Sequence, residues 1–203
     1  MGAITYTYVW LGYCQRFKVQ SIHFCMETDR KNRTVWTDQG LRALEALGHN
    51  ALKAQPLAHA LGVSRGSFYW HFEDLSDFHS ALLVRWRERM FDQIVQDVTR
   101  PGHNPIRRLL ERVLSEPSRL EIAVRSWALV NSQAAQMVED VDKRRVDFIK
   151  DLLCKAGCPP ELAVTRAQLF NWAYLGFALS NRRLDPETRN NIVEDLMRFG
   201  NKK

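Results

Sequence analysis

The stretch Gln55–Phe72, QPLAHALGVSRGSFYWHF, constrains the fold of this chain more than any other part. Apolar residues recur at helical spacing before Gly62 and predict a short helix that buries one face. Gly62 can adopt the positive φ of a sharp turn, and Ser64 is a good N-cap for a second helix. In that second helix Phe68 and Phe72 lie four residues apart, so both can anchor it to a core. The pattern therefore predicts a helix-turn-helix.

The run G-V-S-R-G-S-F-Y-W-H-F, residues 62–72, resembles the signature of the tetracycline-repressor (TetR) family of bacterial transcriptional regulators. The resemblance extends from about Trp36 to about Arg89, and the turn, the cap, the aromatic run and the following helix occur in order. It implies an all-α fold, in which an N-terminal three-helix helix-turn-helix DNA-binding domain is joined by a long helix to a C-terminal helical ligand-binding and dimerisation domain. It also implies a homodimeric repressor, a palindromic operator in double-stranded DNA, and a small-molecule effector that releases the operator.

The second helix of the motif carries the best candidates for contact with DNA, because its N-terminal residues meet base edges in the major groove. Arg65 is the first candidate, since its guanidinium can pair with a guanine edge through two hydrogen bonds. For Lys53 and Gln55 the alternative is a solvated loop, and for His71 it is an ordinary surface or core histidine. The full predicted set is Lys53, Gln55, Ser64, Arg65, Gly66, Ser67, Tyr69, Trp70 and His71.

One stretch departs from the TetR pattern, which commonly has Lys or Arg at the start of the next helix. Here the chain has Glu73, Asp74 and Leu75. Acidic groups near a duplex oppose binding, so we expect a modest affinity or a changed approach to DNA, with a shallow salt dependence. The formal net charge of +6 favours an anionic partner, but ten cations and ten acids balance between Met26 and Arg100.

The first helix of the head is predicted from its cap and its leucines. Thr37 is the expected N-cap, and Leu41, Leu44 and Leu47 are expected on the buried face. Gly48 is expected to end the helix because it can take a left-handed conformation.

The chain divides into three predicted segments. Residues 1–33 are interpreted as an unstructured extension, residues 34–80 as the helix-turn-helix domain and residues 81–203 as the helical C-terminal domain. Residues 1–25 contain many aromatics and no acid, and the alternative for them is a DNA-contacting arm that uses Arg16 and Lys18. Further candidate phosphate contacts precede the first helix at Arg30, Lys31 and Arg33.

The C-terminal domain is predicted to begin on a long helix from Leu75 to about Val98 and to form a dimer through its last two helices. The helix from Pro159 to about Arg183 is apolar nearly all round, so more than one face must be buried. A partner subunit would cover one face and give a four-helix bundle, whereas the alternative is an ordinary monomer core. The predicted interface residues are Trp172, Gly176, Phe177, Ile192, Leu196 and Phe199.

A pocket for a small apolar or aromatic ligand is expected among the C-terminal helices. For each candidate the alternative is plain core packing. The candidate lining residues are Trp127, Asn131, Met137, Phe148, Gln168, Asn171, Trp172 and Tyr174.

The sequence contains no motif typical of an enzyme or a metal site. It has no Gly-rich phosphate loop, no HExxH and no GxSxG, and its six histidines are not at metal-ligand spacing. We therefore predict no catalytic residue, no metal, no cofactor and no membrane partner. Cys154 and Cys158 are interpreted as reduced thiols of a cytoplasmic protein. The alternative function is a helical DNA-binding protein that answers to a protein partner or acts architecturally, without a small-molecule ligand.

Overall fold

The computed structural model describes residues 33–102, 104–180 and 182–201. Within these ranges every regular element is helical, which confirms the predicted all-α fold. None of the helices in these ranges is long and apolar enough to cross a membrane. The predictions for residues 1–25, Arg30 and Lys31 lie outside the described residues.

The N-terminal part is a three-helix head that contains the predicted helix-turn-helix. Helix α1 covers residues 33–47 and is followed by a 3-10 turn, His49–Ala51. Helix α2 is Ala54–Leu61 and helix α3 is Arg65–His71. Gly62, between α2 and α3, has φ 69°, so the turn uses the left-handed conformation that glycine adopts without strain.

The head is built on aromatic side chains. Phe68 is fully buried, and its ring centroid lies 5.4 Å from Trp36, 5.1 Å from Phe72 and 5.4 Å from Phe78. Edge-to-face and tilted rings at these separations are favourable. The prediction that Phe68 and Phe72 belong to the core is confirmed.

Two predictions for α1 are wrong. Thr37 does not cap the helix, because α1 is already helical at residue 33; the Thr37 hydroxyl is buried and donates to the carbonyl oxygen of Thr34 at 3.0 Å. Leu47 is 75% exposed, because it is the last residue of the helix and the chain turns away at Gly48, where φ is 76°. Leu41 and Leu44 are buried as predicted.

One long helix joins the head to the rest of the chain, as the sequence predicts. It consists of α4, Leu75–Arg87, a π-helical segment, Glu88–Asp92, and α5, Gln93–Val98. Arg87 and Gln93, which flank the π-helical segment, both have right-handed helical dihedrals, so the helix is continuous. The extra residue in the π turn is a local feature that the apolar spacing does not show.

Five further helices follow: α6, Pro105–Val113; α7, Arg119–Ala128; α8, Ser132–Lys155; α9, Pro160–Ser180; and α10, Pro186–Asn201. The side chain of the residue preceding α6, α7 and α8 accepts hydrogen bonds from backbone N–H groups of the first turn, which fixes where each of these helices begins. These capping residues are Asn104, Ser118 and Asn131.

The buried apolar residues form two clusters. The first core contains residues of helices α1, α2, α3, α4 and α7 and of the first half of α8, and it includes Trp86, Val124 and Trp127. The second core joins α5, α6, α9, α10 and the second half of α8. Helix α8 therefore contributes to both cores, and the head shares its core with α7.

Candidate functional site

Helix α3 presents one face to solvent while Phe68 holds its other face in the first core. Trp70 is 86% exposed and Tyr69 is 49% exposed, and Arg65 is also exposed. Burial of an aromatic side chain is strongly favourable, so a tryptophan this exposed indicates a surface to which another molecule can bind. The predicted contact residues on α3 thus lie where a ligand can reach them.

The guanidinium of Arg65 is held by a neighbour on the same helix. Its Nη2 donates to the Tyr69 hydroxyl at 3.2 Å, and the guanidinium carbon lies 5.7 Å from the Tyr69 ring centroid. Residues four apart on a helix are adjacent, so Tyr69 limits the conformations of the arginine side chain. Such a restraint reduces the entropy that a side chain loses when it binds a partner.

At the start of α3 another molecule can come close to the backbone, because Gly66 has no side chain. Gly66 has ordinary helical geometry, and a Cβ built on it would meet only Ser64 Oγ, at 3.6 Å. The fold itself therefore does not require a glycine here. Ser64 occupies the N-cap position as predicted, but its side chain makes no capping hydrogen bond; its carbonyl accepts from the Ser67 N–H at 3.0 Å.

The remaining predicted contacts lie at the edges of this face. Lys53 is the exposed N-cap of α2, and Gln55 is exposed in the first turn of α2. His71 is half-buried at the end of α3. Its backbone carbonyl accepts a hydrogen bond from Arg33 Nη1.

Arg33 is committed to contacts within the chain, so the phosphate role predicted for it is not supported. Besides the His71 carbonyl, it reaches Asp77, with 3.1 Å between Nη2 and Oδ1, and its guanidinium lies 4.5 Å from the Phe72 ring centroid. Arg33 thereby connects the start of α1 to the end of α3 and the start of α4. The contact between Arg33 and Asp77 has no signal in the sequence, because the two residues are 44 positions apart.

The acidic stretch after α3 has a structural role that its charge alone does not suggest. Asp74 caps α4, since its side chain accepts from the Asp77 N–H at 2.8 Å, and Asp77 in turn accepts from the Glu73 N–H at 3.1 Å. The first bond is an ordinary N-cap interaction, and the second goes to the residue before the cap instead of returning to the cap residue as in a capping box. The Asp77 charge is also paired with Arg33, which offsets part of the acidity of this stretch.

One carboxylate fastens the head to the long helix. Asp38 Oδ1, on α1, lies 2.8 Å from Arg85 Nε and 2.8 Å from Arg89 Nη2. The hydrogen bond to Asp38 is the main cause that raises the pKa of Arg85 above its ordinary value. The head and the middle of the long helix are therefore positioned together.

A cavity of about 50 Å³ lies in the C-terminal part of the chain, between the π-helical segment, α5, α6, α8, α9 and α10. Its wall is mostly aliphatic and aromatic. Of the predicted pocket residues, Phe148, Asn171 and Tyr174 line it. Met90 and Phe91, which belong to the π-helical segment, also line it, so the long helix forms part of the wall.

The other predicted pocket residues lie elsewhere. Trp127 packs in the first core, 5.0 Å from the His79 ring centroid, and Met137 packs against the same core. Asn131 caps α8. Gln168 and Trp172 line an open groove along α7, α8 and α9 rather than the cavity.

A buried ionic network borders the cavity. Arg145 makes two hydrogen bonds to Glu121, at 3.0 and 2.9 Å, and one to Asp142, at 3.2 Å. Arg125 joins the same two carboxylates, with 2.9 Å to Glu121 Oε1 and 2.6 Å to Asp142 Oδ1. Two arginines and two carboxylates balance in charge, which is what allows a fully buried glutamate to remain ionised.

Protonation in this network follows from burial and pairing together. Burial alone would raise the pKa of Glu121, but its hydrogen bond to Arg145 and the attraction of both arginines outweigh burial and lower it. Burial would likewise lower the pKa of Arg145, yet its bonds to Glu121 raise it overall. Glu121, Arg125 and Arg145 are therefore charged at neutral pH.

The residues predicted for a dimer interface fall into two groups. Trp172 is 60% exposed and Gly176 is exposed on α9, whereas Phe177 is half-buried against the second core. Ile192, Leu196 and Phe199 on α10 also pack against the second core of their own subunit. These four side chains are only partly buried, so their role in a dimer interface stays a prediction.

No cluster of three or more His, Cys, Asp or Glu side chains suited to a metal ion occurs within residues 33–102, 104–180 and 182–201. Cys154 and Cys158 are both free thiols, the first half-buried and the second buried.

The chain thus combines an exposed helix-turn-helix with a helical domain that contains a cavity, and one long helix joins the two. Solved structures share this fold. A regulator described as a TetR/AcrR family member superimposes with a TM-score of 0.67 at 19% identity, over 84% of this chain and 99% of that chain. The fold of this chain is therefore the TetR fold.

Two other structures of similar fold contain small molecules. A protein from Saccharomonospora viridis, described as a transcriptional regulator in complex with choline, has a TM-score of 0.65 at 18% identity, over 83% of this chain and 96% of its own. The multidrug binding protein EbrR, complexed with imidazole, has a TM-score of 0.55 at 20% identity, over 81% and 93%. No family model and no curated protein sequence matches the chain.

Proposed function

We propose that this protein is a TetR-family transcriptional regulator that acts in the cytoplasm as a homodimeric repressor and leaves its operator when a small molecule occupies the C-terminal cavity. The observation that carries the proposal is the outward face of α3, where Arg65 and Tyr69 are exposed and linked and Trp70 is 86% exposed. Two such helices would enter successive major grooves about 34–36 Å apart. The remaining DNA contacts would come from Lys53, Gln55, Ser64, Gly66, Ser67 and His71.

The dimer is proposed to form through the outward face of α9. Leu169, Trp172 and Leu179 are 41%, 60% and 46% exposed and recur at helical spacing. Gly176 lies between them, and a Cβ built on it would meet nothing within 4 Å of its own chain. An exposed apolar stripe with a small residue at its centre suits a second copy of the same helix in a symmetric pair.

The link from the cavity to the head is proposed to run through the π-helical segment. A dry cavity that holds benzene has a volume of about 150 Å³, so a ring-sized effector must enlarge this one. Met90 and Phe91 form part of the wall and belong to the helix that Asp38 fastens to the head. An effector would therefore favour a conformer with a shifted long helix and a different separation of the two heads.

The first test is Arg65→Ala, measured on genomic fragments selected with the wild-type protein. We expect a loss of about 1–3 kcal/mol in operator binding and a relaxed base preference. Arg100→Ala is the matched control, since it removes a 73% exposed arginine beyond the far end of α5. Equal binding by wild type and Arg65→Ala would contradict the proposal.

A second candidate function, regulation by a protein partner without a small molecule, is favoured by the small volume of the cavity. Substitution of a wall residue separates the two. Val113→Trp would fill the cavity, so it should abolish the response to an effector if the first proposal holds. If a partner protein releases the operator equally well from the wild type and from Val113→Trp, the result would favour the second candidate.

A further inference from the structure

Asn171 lies in the wall between the cavity and the outer groove, and its buried side-chain oxygen is an unused acceptor. The residue is 3% exposed and lines the cavity. In the part of the chain that the structure describes, its Oδ1 has no hydrogen-bond donor. Buried acceptors of this kind are rare in folded proteins, and each one requires an explanation. A ligand with a donor group would supply one.

The charges around the cavity restrict what that ligand can be. Among the described residues that line the cavity, Arg145 is the one that carries a charge, so a cation would meet a like charge and no acid there. An anion would have to compete for Arg145 with Glu121 and Asp142, which already bind it at 2.9 to 3.2 Å. A neutral molecule avoids both costs.

The rest of the wall is apolar or uncharged. Phe91, Phe148 and Phe170 contribute aromatic surface, and the flexible Met90 can adjust to different shapes. Burial raises the pKa of Tyr174, so its hydroxyl stays protonated at neutral pH. Such a wall favours an apolar body with few polar atoms.

We propose that the cavity selects a neutral, largely apolar molecule that carries one N–H or O–H group, and that this group donates to Asn171 Oδ1. The proposal deepens the effector site of the proposed function and rests on that function only for the claim that the molecule controls DNA release. Asn171 is then the residue that determines ligand specificity.

The test compares matched probes on the full-length protein by calorimetry. Each donor compound is paired with its methylated form, which keeps the ring but cannot donate: phenol with anisole, indole with 1-methylindole and 2-naphthol with 2-methoxynaphthalene. Benzyltrimethylammonium serves as a cationic probe. We expect at least one donor compound to bind about tenfold more tightly than its methylated partner, because a buried hydrogen bond is lost in the second, and we expect no binding of the cation.

Three variants locate the effect. Asn171→Leu removes the acceptor at similar size and should abolish the preference, whereas Asn171→Asp keeps an acceptor oxygen and should retain it. Gln168→Leu is the matched control, since this amide lies on the same helix and lines the outer groove but not the cavity. Equal binding within every pair, a preference that survives in Asn171→Leu, or a failure of all donor compounds to bind at millimolar concentration would overturn the proposal.

Release from DNA is measured separately by fluorescence anisotropy of a labelled operator. A donor compound that binds with the expected preference but leaves the operator complex intact supports the ligand class and contradicts the effector role. If Arg65→Ala loses operator binding but keeps the probe preference, the result supports the proposed DNA contact and the ligand class independently of each other.

Discussion

Arg145→Met tests the buried network directly, because it removes one charge and leaves its partner inside the protein. Glu121 has no exposed side-chain surface, and it would lose the two hydrogen bonds that Arg145 donates and keep only Arg125 Nε at 2.9 Å. Breaking a buried ion pair from one side costs about 3–5 kcal/mol. Since Arg125 remains, we expect a loss near the lower end, about 3 kcal/mol, out of a total of about 5–15 kcal/mol.

The pH dependence of that loss identifies its cause. In the wild type the pKa of Glu121 lies below its ordinary value of 4.5, so its stabilisation is complete above that pH and is lost as the pH falls through the lowered pKa. Without Arg145, burial should dominate and raise the pKa of Glu121. The cost of Arg145→Met should then be largest at neutral pH and shrink toward pH 5, as the carboxyl takes up a proton.

Urea unfolding at fixed protein concentration, at pH 7.5 and pH 5, measures both effects. The double variant Glu121→Leu/Arg145→Met removes the unpaired charge and should recover much of the stability, with no extra pH dependence. A loss below about 1 kcal/mol, or a loss that does not vary with pH, would refute the reasoning that an unpaired buried carboxylate dominates.

Four further variants test the head and the proposed dimer. Gly40→Ala places a Cβ 2.3 Å from a carbon of the fully buried Leu82, so overpacking should lower the free energy of unfolding by about 1–3 kcal/mol in urea unfolding. The higher helix propensity of alanine offsets about 1 kcal/mol of this loss. Gly66→Ala, where a Cβ meets only Ser64 Oγ at 3.6 Å, should gain stability. An increase in the stability of Gly40→Ala would contradict this prediction, because it would mean that Leu82 moves aside at little cost. Burial is the main cause that lowers the pKa of His79 below 6.5, so the wild type should lose thermal stability as the pH falls from about 6.5 and His79→Gln should not; parallel pH profiles would contradict this. Trp172→Glu puts a charge on the exposed face of α9 and should yield monomers in light scattering, whereas an intact dimer would place the interface elsewhere.

Local patterns predicted the head well because its signals are local. The turn at Gly62, the anchors Phe68 and Phe72 and the helix after Asp74 each depend on residues within one or two helical turns. Thr37 shows the limit of such signals, since a threonine can cap a helix or donate back inside one, and only the start of α1 distinguishes the two. The contact between Arg33 and Asp77 needs the tertiary fold.

The C-terminal predictions were less specific for a similar reason. An apolar stripe shows that one face of a helix is buried, but it does not show which helix covers it. Trp127 and Phe148 were equally good pocket candidates by sequence, yet the first packs in the core of the head and the second lines the cavity. Asn171 was predicted as one of the residues that line the pocket, and the structure puts it at the cavity wall.

The bridge from Asp38 to Arg85 and Arg89 has a practical consequence for exchanging DNA specificity between regulators. A chimera joined at residue 80 would take Asp38 from this chain without Arg85 and Arg89, so the transferred head would lose both of these ion pairs. A junction placed after Arg89 would transfer the head together with its attachment. Swaps at the two junctions should therefore differ in how faithfully the grafted specificity responds to the recipient's own signal.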